Sequence, residues 1–253
     1  MPQTLVFLHA HPDDEALLTA GTMARASSEG QRVVLITATS GEAGLAAHEL
    51  QDRGLADIRE EELVRSARML GVQRLELLHY ADSGLHGDRV TDDGTKTLCQ
   101  APVMAIATRV AEVLAEEAAD VLVTYDQAGG YGHPDHVRIH QVGVAAANLA
   151  GPSKVFAVTA PREPFAIGAQ LADRYLSLPE DFDPEQFMNA FTPRSEITHR
   201  VNVRDFVDFK RAALRAHASQ ASGGDVRTLS ALLALPRPLF SLLLGTEFYR
   251  RLQ

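Results

Sequence analysis

The sequence predicts an α/β fold: a Rossmann-like, mostly parallel sheet with helices on both faces and an active site at the carboxyl ends of the strands. Three observations predict it. Short β-branched runs alternate with stretches of helical period, the pattern of βαβ units whose parallel strands are joined by helical crossovers. Two clusters rich in histidine and carboxylate, His11-Pro12-Asp13-Asp14-Glu15 and Tyr131-Gly132-His133-Pro134-Asp135-His136, each come after a short apolar run. In open α/β sheets ligands bind outside the carboxyl ends of the strands, where both clusters fall.

The elements follow in order. Thr4 to His9 is an apolar run without helical period and reads as a strand, followed by an acidic first turn and a helix ending near Gly30. Arg32 to Thr39 is a second strand, and Ser40 to Gly44 is the loop after it. Leu55, Ile58, Leu63, Ala67 and Leu70 recur at helical spacing, and Gly71 can cap that helix. Arg74 to Tyr80 is a third strand, Pro102 to Ala119 a long helix with proline near its start, and Val121 to Tyr125 a fourth strand. Val137 to Leu149 is helical in composition and Val155 to Thr159 strand-like, which makes four or five strands. The stretch 161–200 is less regular, with Pro161, Pro164, Pro179 and Pro184 and the aromatics Phe182 and Phe187, and is expected to cover the pocket. Val203 to Ala218 returns to helical spacing, Ser219 to Gly224 reads as a turn, and Leu232 to Phe248 is apolar enough to pack on the core or on a second subunit.

A length of 253 residues suits a single domain, 1–253, with 161–200 as its pocket-covering region. The net charge of -9 argues against nucleic acid and anionic lipid, which need a basic face, and favours a small neutral or cationic ligand. No apolar stretch reaches the ~18 to 20 residues that span a bilayer, and the first residues lack the basic start of a signal peptide, so a cytoplasmic protein without membrane insertion is expected. Cys99 is the single cysteine, which excludes an internal disulfide and a cysteine-built zinc cage. A metal site here must use histidine and carboxylate.

Histidine and carboxylate with one open position are the usual catalytic ligands of zinc. His11 and Asp14 lie three apart across a turn and His136 begins a helix, so they converge if the two loops are neighbours. Asp13 is then free to accept a proton, His133 faces the substrate, and Asp135 is a candidate to orient the His133 imidazole. Most other histidines read as structural. His9 alternates with His11 and points to the opposite face, His48 and His86 sit in polar loops, and His79 and His140 lie beside the pocket or in the packing around it. Glu15 reads as a loop anchor, Cys99 as a small buried residue, and Arg65 and Arg68 as a solvated helix face. Ser40 to Gly44 lacks the lysine and spacing of a phosphate loop.

Together, Ala10-His11-Pro12-Asp13-Asp14-Glu15 and Tyr131-Gly132-His133-Pro134-Asp135-His136 resemble the PIG-L or LmbE-like zinc-dependent N-deacetylases. That family includes GlcNAc-PI deacetylase, the mycothiol-pathway deacetylase and mycothiol conjugate amidase, the bacillithiol-pathway deacetylase, and antibiotic deacetylases. Weaker similarity covers Ser40-Gly41-Glu42, Arg59 and Glu61, Asp82-Ser83-Gly84, and Lys210 with His217 and Gln220, so the resemblance runs to about residue 220. His217 can equally serve packing. The resemblance implies one Zn2+ per chain held by His11, Asp14 and His136, with Asp13 as general base and His133 as electrostatic stabiliser and acid. It implies Tyr131 as a carbonyl-polarising residue, and Arg59 and Asp82 as contacts to sugar hydroxyls or substituents. The reaction it implies is hydrolysis of an N-acyl, foremost an N-acetyl, group from a soluble amino sugar or glucosaminyl conjugate.

Rival readings are an amidase of thiol conjugates or of an acylated secondary metabolite, a magnesium phosphoesterase built on Asp13, Asp14 and Asp135, and a metal-containing binding protein without catalysis. Histidine-rich sites suit zinc better than magnesium. A binder has no need of a base beside the metal. The apolar segment near the carboxyl terminus is compatible with a homo-oligomer.

Overall fold

The computed structural model describes residues 2–44, 54–91, 94–175, 188–221 and 228–253. His48, Pro179, Phe182, Pro184 and Phe187 lie outside the described residues. Five strands form where the sequence places them: β1 (Thr4–His9), β2 (Arg32–Thr39), β3 (Arg74–Tyr80), β4 (Val121–Tyr125) and β5 (Lys154–Thr159). β1, β2 and β4 are continuous apolar runs, as strands covered on both faces require, and Val6 to Leu8, Val33 to Ile36 and Leu122 are fully buried.

Among the described residues the α-helices longer than a single turn are α1 (Ala20–Ser28), α2 (Leu55–Met69), α3 (Val103–Glu116), α4 (Pro134–Ala150), α5 (Arg162–Tyr175), α6 (Val207–Ala216), α7 (Thr228–Ala234) and α8 (Arg237–Leu244), and the stretch read as a turn from Ser219 opens within a one-turn helix, Ala218–Ala221. α3 packs along α4, while α1 and α2 both pack against α6. α3 ends earlier than its composition suggests because Ala118 turns to a φ of 45°. α4 starts three residues earlier than expected, with Pro134 in its first turn, where no intrahelical N–H is lost. Within 161–200, α5 is more regular than the prolines suggest, since Pro164 also falls in the first turn of its helix.

Among the described residues the strands form one seven-stranded sheet in the order β3-β2-β1-β4-β5-β7-β6, with β6 at His199–Asn202 and β7 at Thr246–Arg251. β1 pairs in parallel with both β2 and β4, and β7 runs antiparallel to β5 and β6. The sequence suggested four or five strands; β6 and β7 are additions. Their polar residues hide them. Glu247 of β7 is buried because Lys210 Nζ lies 2.7 Å from its carboxylate and the N–H groups of Gly21 and Thr22 donate to it. β6 is the exposed edge, where polar residues guard unpaired backbone.

After β3 the chain returns through α3 to place β4 beside β1, so the strand order reverses between β1 and β4. The crevice at that switch point receives the residues after β1 and those after β4. Both clusters therefore arrive at one place.

Candidate active site

The chain leaves β1 at His9, turns through Pro12 and Asp13, and enters a π-helical turn, Glu15–Thr19, that runs into α1. π-turns are rare and frequent at functional sites. Asp13 has a φ of 101°, an uncommon backbone state outside glycine. On the other side, α4 begins at Pro134 with His133 as its N-cap, so Asp135 and His136 project from the first turn toward the β1 loop.

His11, Asp14 and His136 meet there. Asp14 Oδ2 is 3.4 Å from His11 Nδ1 and 3.3 Å from His136 Nε2. Two donors bound to one tetrahedral zinc at about 2.0–2.1 Å lie about 3.3–3.4 Å apart, so the spacing fits a shared ion. His136 donates from Nδ1 to the carbonyl of Gly129 at 3.2 Å, which leaves Nε2 as a lone-pair donor. That Nε2 is buried and has no hydrogen-bond partner among the described residues, an orphaned atom that a cation would satisfy. Gly129 is required for this: it has a φ of 68°, and a Cβ would stand 2.7 Å from the Val137 nitrogen. Burial opposes charge on His11, yet hydrogen bonds with Asp135 and Asp14 and the charge of Asp82 raise its pKa well above the ordinary value. Burial pushes Asp14 up, but the His136 and His11 imidazoles hold it well below the carboxylate range. The pocket attracts positive charge.

The other expected residues surround this group. The Asp13 carboxylate lies 3.2 Å from Arg59, and burial, opposed by Arg59 and reinforced by Asp14, pushes its pKa up to about 6. His133 accepts the Asp135 N–H at Nδ1, so its remaining proton sits on Nε2. Burial, then the charges of His11 and His136, lower its pKa to about 4, and the ring is neutral near pH 7. The ligand atoms of His11, His133 and His136 all lie within 4.8 Å of one another. The Tyr131 ring stands 5.3 Å from His136 and 6.0 Å from His133, and burial raises the pKa of its phenol, which stays protonated.

Three placements differ from the sequence expectation or go beyond it. Asp135 was paired with His133, but its carboxylate accepts instead from His11 Nε2 at 3.2 Å and from the Ser83 N–H at 3.0 Å; only its backbone serves His133. The first turn of α4 aims that side chain at the β1 and β3 loops. Asp82 lies 3.8 Å from the same His11 Nε2, with Oδ1 taken by the Gly84 N–H. Arg59 is buried, and its guanidinium donates to the carbonyls of Pro12 and Gly41 as well as to Asp13.

Tyr125 is a further residue of the site, one that no sequence motif marks. Its hydroxyl donates to Asp14 Oδ2 at 2.6 Å, and its ring stacks on His136 with centroids 4.3 Å apart. Its place as the last residue of β4 was the available signal, because strand ends face the crevice. His9 is fully buried and bonded to Thr19 at 2.8 Å and Tyr125 at 3.2 Å. His86 is exposed, His79 is an exposed partner of Glu60, and His140 bonds the Tyr125 carbonyl.

The sequence profile of PIG-L, GlcNAc-PI de-N-acetylase, matches residues 6–147, from β1 into α4. The chain belongs to the PIG-L family. A 1D-myo-inositol 2-acetamido-2-deoxy-alpha-D-glucopyranoside deacetylase of Acidothermus cellulolyticus is 34% identical across 98% of this chain and 88% of its own length. The N,N'-diacetylchitobiose deacetylase of Pyrococcus horikoshii superposes with a TM-score of 0.66 at 18% identity, covering 99% of this chain and 84% of that one. GalB of Pseudomonas putida, a 4-carboxy-2-hydroxymuconate hydratase, superposes with a TM-score of 0.64 at 16% identity over 99% of this chain and 96% of that one. The PIG-L fold thus carries more than one reaction, and the deacetylase assignment rests on the family and its homologues. PIG-L deacetylases are metal-dependent enzymes, and this PIG-L chain is a hydrolase of the deacetylase class. Among the described residues no helix is long and apolar enough to cross a membrane.

Proposed function

We propose that this PIG-L protein removes the acetyl group from an N-acetylglucosaminyl conjugate, foremost a 2-acetamido-2-deoxyglucosyl inositol of the kind for which its homologue is named, and that it does so with zinc held by His11, Asp14 and His136. The observation that carries the reading is the pair of 3.3–3.4 Å donor contacts around Asp14, one of them to a buried His136 Nε2 that has no hydrogen-bond partner among the described residues, with the half-buried carboxylate of Asp13 next to Asp14 in the chain. Zinc in that position supplies Lewis-acid polarisation of the acyl carbonyl and makes a water molecule a better nucleophile near neutral pH.

The residues of the chain supply the rest. Asp13, with a pKa of about 6, takes the proton of the attacking water. His133 directs its Nε2–H at the oxyanion that forms, and the protonated Tyr131 phenol adds a second donor. Because His133 is neutral, the proton held by Asp13 is the one delivered to the leaving amine, and the products are acetate and the free amine. Asp135 orients His11 through Nε2. Asp82, at the mouth of β3, contacts sugar hydroxyls, while Arg59 contributes to substrate binding through the Pro12-Asp13 loop that it clamps.

The test is acetate and primary-amine release from 1D-myo-inositol 2-acetamido-2-deoxy-α-D-glucopyranoside by chelator-stripped protein before and after zinc is restored. The reading expects both products in equal amounts, only with metal. Product formation in thoroughly stripped protein contradicts it.

A further inference from the structure

The loop after β1 is hydrogen-bonded to a residue far outside the stretch that the family profile matches. Asp13 holds its φ of 101° while its N–H donates to Glu15 Oε2 at 3.0 Å and its carbonyl accepts from Ala16 and Leu17, each at 3.0 Å. A strained residue of this kind persists only where its surroundings over-determine it. Glu15 is fully buried, and its other oxygen, Oε1, accepts from Ser66 of α2 and from His217 Nε2 at 2.7 Å. His217 follows the last residue of α6, lies 202 positions along the chain from Glu15, and is itself fully buried. Its Nδ1 has no hydrogen-bond partner among the described residues. A core ring kept for packing alone would not leave a buried nitrogen unsatisfied, since an apolar side chain fills such space at less cost. Among the described residues, the side-chain hydrogen bond of His217 is the one to Glu15.

We infer that His217 and Glu15 form a brace whose function is to position the Asp13 backbone, and with it the carboxylate, for the reaction. His217 is a positioning residue acting through Glu15. The inference rests on the reading of Asp13 as the base. The brace crosses from α6 through Glu15 to the loop, with Ser66 steadying the same oxygen from α2. Glu15 needs both oxygens as acceptors, one for Asp13 and one for His217 and Ser66. An amide in its place offers one acceptor and turns a donor toward another donor.

The experiment compares the zinc-loaded wild type with Glu15→Gln, His217→Leu, His217→Gln and Asp13→Asn, using the same acetamidoglucosyl inositol, with kcat, KM, bound zinc and Tm measured for each. Glu15→Gln and His217→Leu are expected to lose at least tenfold in kcat, with KM and zinc content within twofold of wild type, below their own Tm. His217→Gln can still donate to Glu15 and is expected to regain part of the kcat that His217→Leu loses. Folded Glu15→Gln and His217→Leu with wild-type kcat overturn the inference, as does a loss that tracks loss of zinc in both. Asp13→Asn separates the two claims. If it keeps turnover, the base assignment fails; if it is inactive while the brace variants are normal, the brace alone fails.

Discussion

At the scale of single residues, the site is a set of side chains each held by a second one. Asp14 is the hub: its Oδ2 accepts from Tyr125 at 2.6 Å and from the His11 N–H at 3.0 Å while facing both imidazoles. Tyr125→Phe removes the hydroxyl and keeps the ring on His136. Loss of such an outer contact to a metal ligand costs about 10–100-fold in metal affinity. A chelator competition assay should therefore show zinc bound about that much more weakly, and the metal-free protein should have a lower Tm as well, because the same hydroxyl accepts the buried Ala10 N–H at 3.0 Å. Unchanged affinity would remove Tyr125 from the account. The clusters themselves were legible in the sequence because each packs its chemistry into six residues or fewer. The partners of Asp135, Asp14 and Glu15 were not, because His11, Tyr125 and His217 reach them across the fold and no local spacing announces such a meeting.

At the scale of elements, two buried ion pairs join the α6 region to the rest of the protein. Lys210 and Glu247 tie α6 to β7, and His217, just beyond the end of α6, ties it to the β1 loop. Removing one member of a buried pair strands the other, at about 3–5 kcal/mol. Lys210→Met should unfold at clearly lower denaturant than wild type; an unchanged midpoint would show that the pair is not worth its burial. The His217 pair also has a pH signature. Burial lowers the His217 pKa, but Glu15, and behind it Asp13, outweigh burial and the opposing Arg59 charge and raise it above 6.5. Burial raises Glu15, and His217 and Ser66 bring it below 4.5 instead. A raised histidine pKa stabilises fully below the unfolded value and is lost as pH rises through the folded one; a lowered carboxylate pKa stabilises above its unfolded value and is lost as pH falls. The stability difference between wild type and His217→Gln should thus be greatest between about pH 4.5 and 6.5 and shrink above it. A difference that grows with pH would reverse the assignment. The five parallel strands were readable as apolar runs, whereas β6 and β7 were not, since the charges of Glu247, Arg250 and Arg251 mask them until Lys210 and the edge of the sheet are in place.

At the scale of the whole molecule, the sheet brings two distant clusters together by a single reversal of strand order, and the ion is expected to join them. Zinc bound only by the folded chain stabilises by about 2.7 kcal/mol at a hundredfold excess over its Kd. For a protein of this size that is about 5–10 °C in Tm. His11→Ala should lose the shift. The fold itself does not decide the reaction, as the hydratase with the same architecture shows, so the central claim is chemical: a base, Asp13, working beside a metal that it does not bind. The direct measurement is amine release from the acetamidoglucosyl inositol by Asp13→Ala and by His11→Ala, with zinc content determined on the same samples. The account predicts that Asp13→Ala keeps zinc and loses turnover by at least about a hundredfold, the usual span of general-base catalysis, while His11→Ala loses both. Near wild-type turnover in zinc-loaded Asp13→Ala would contradict it.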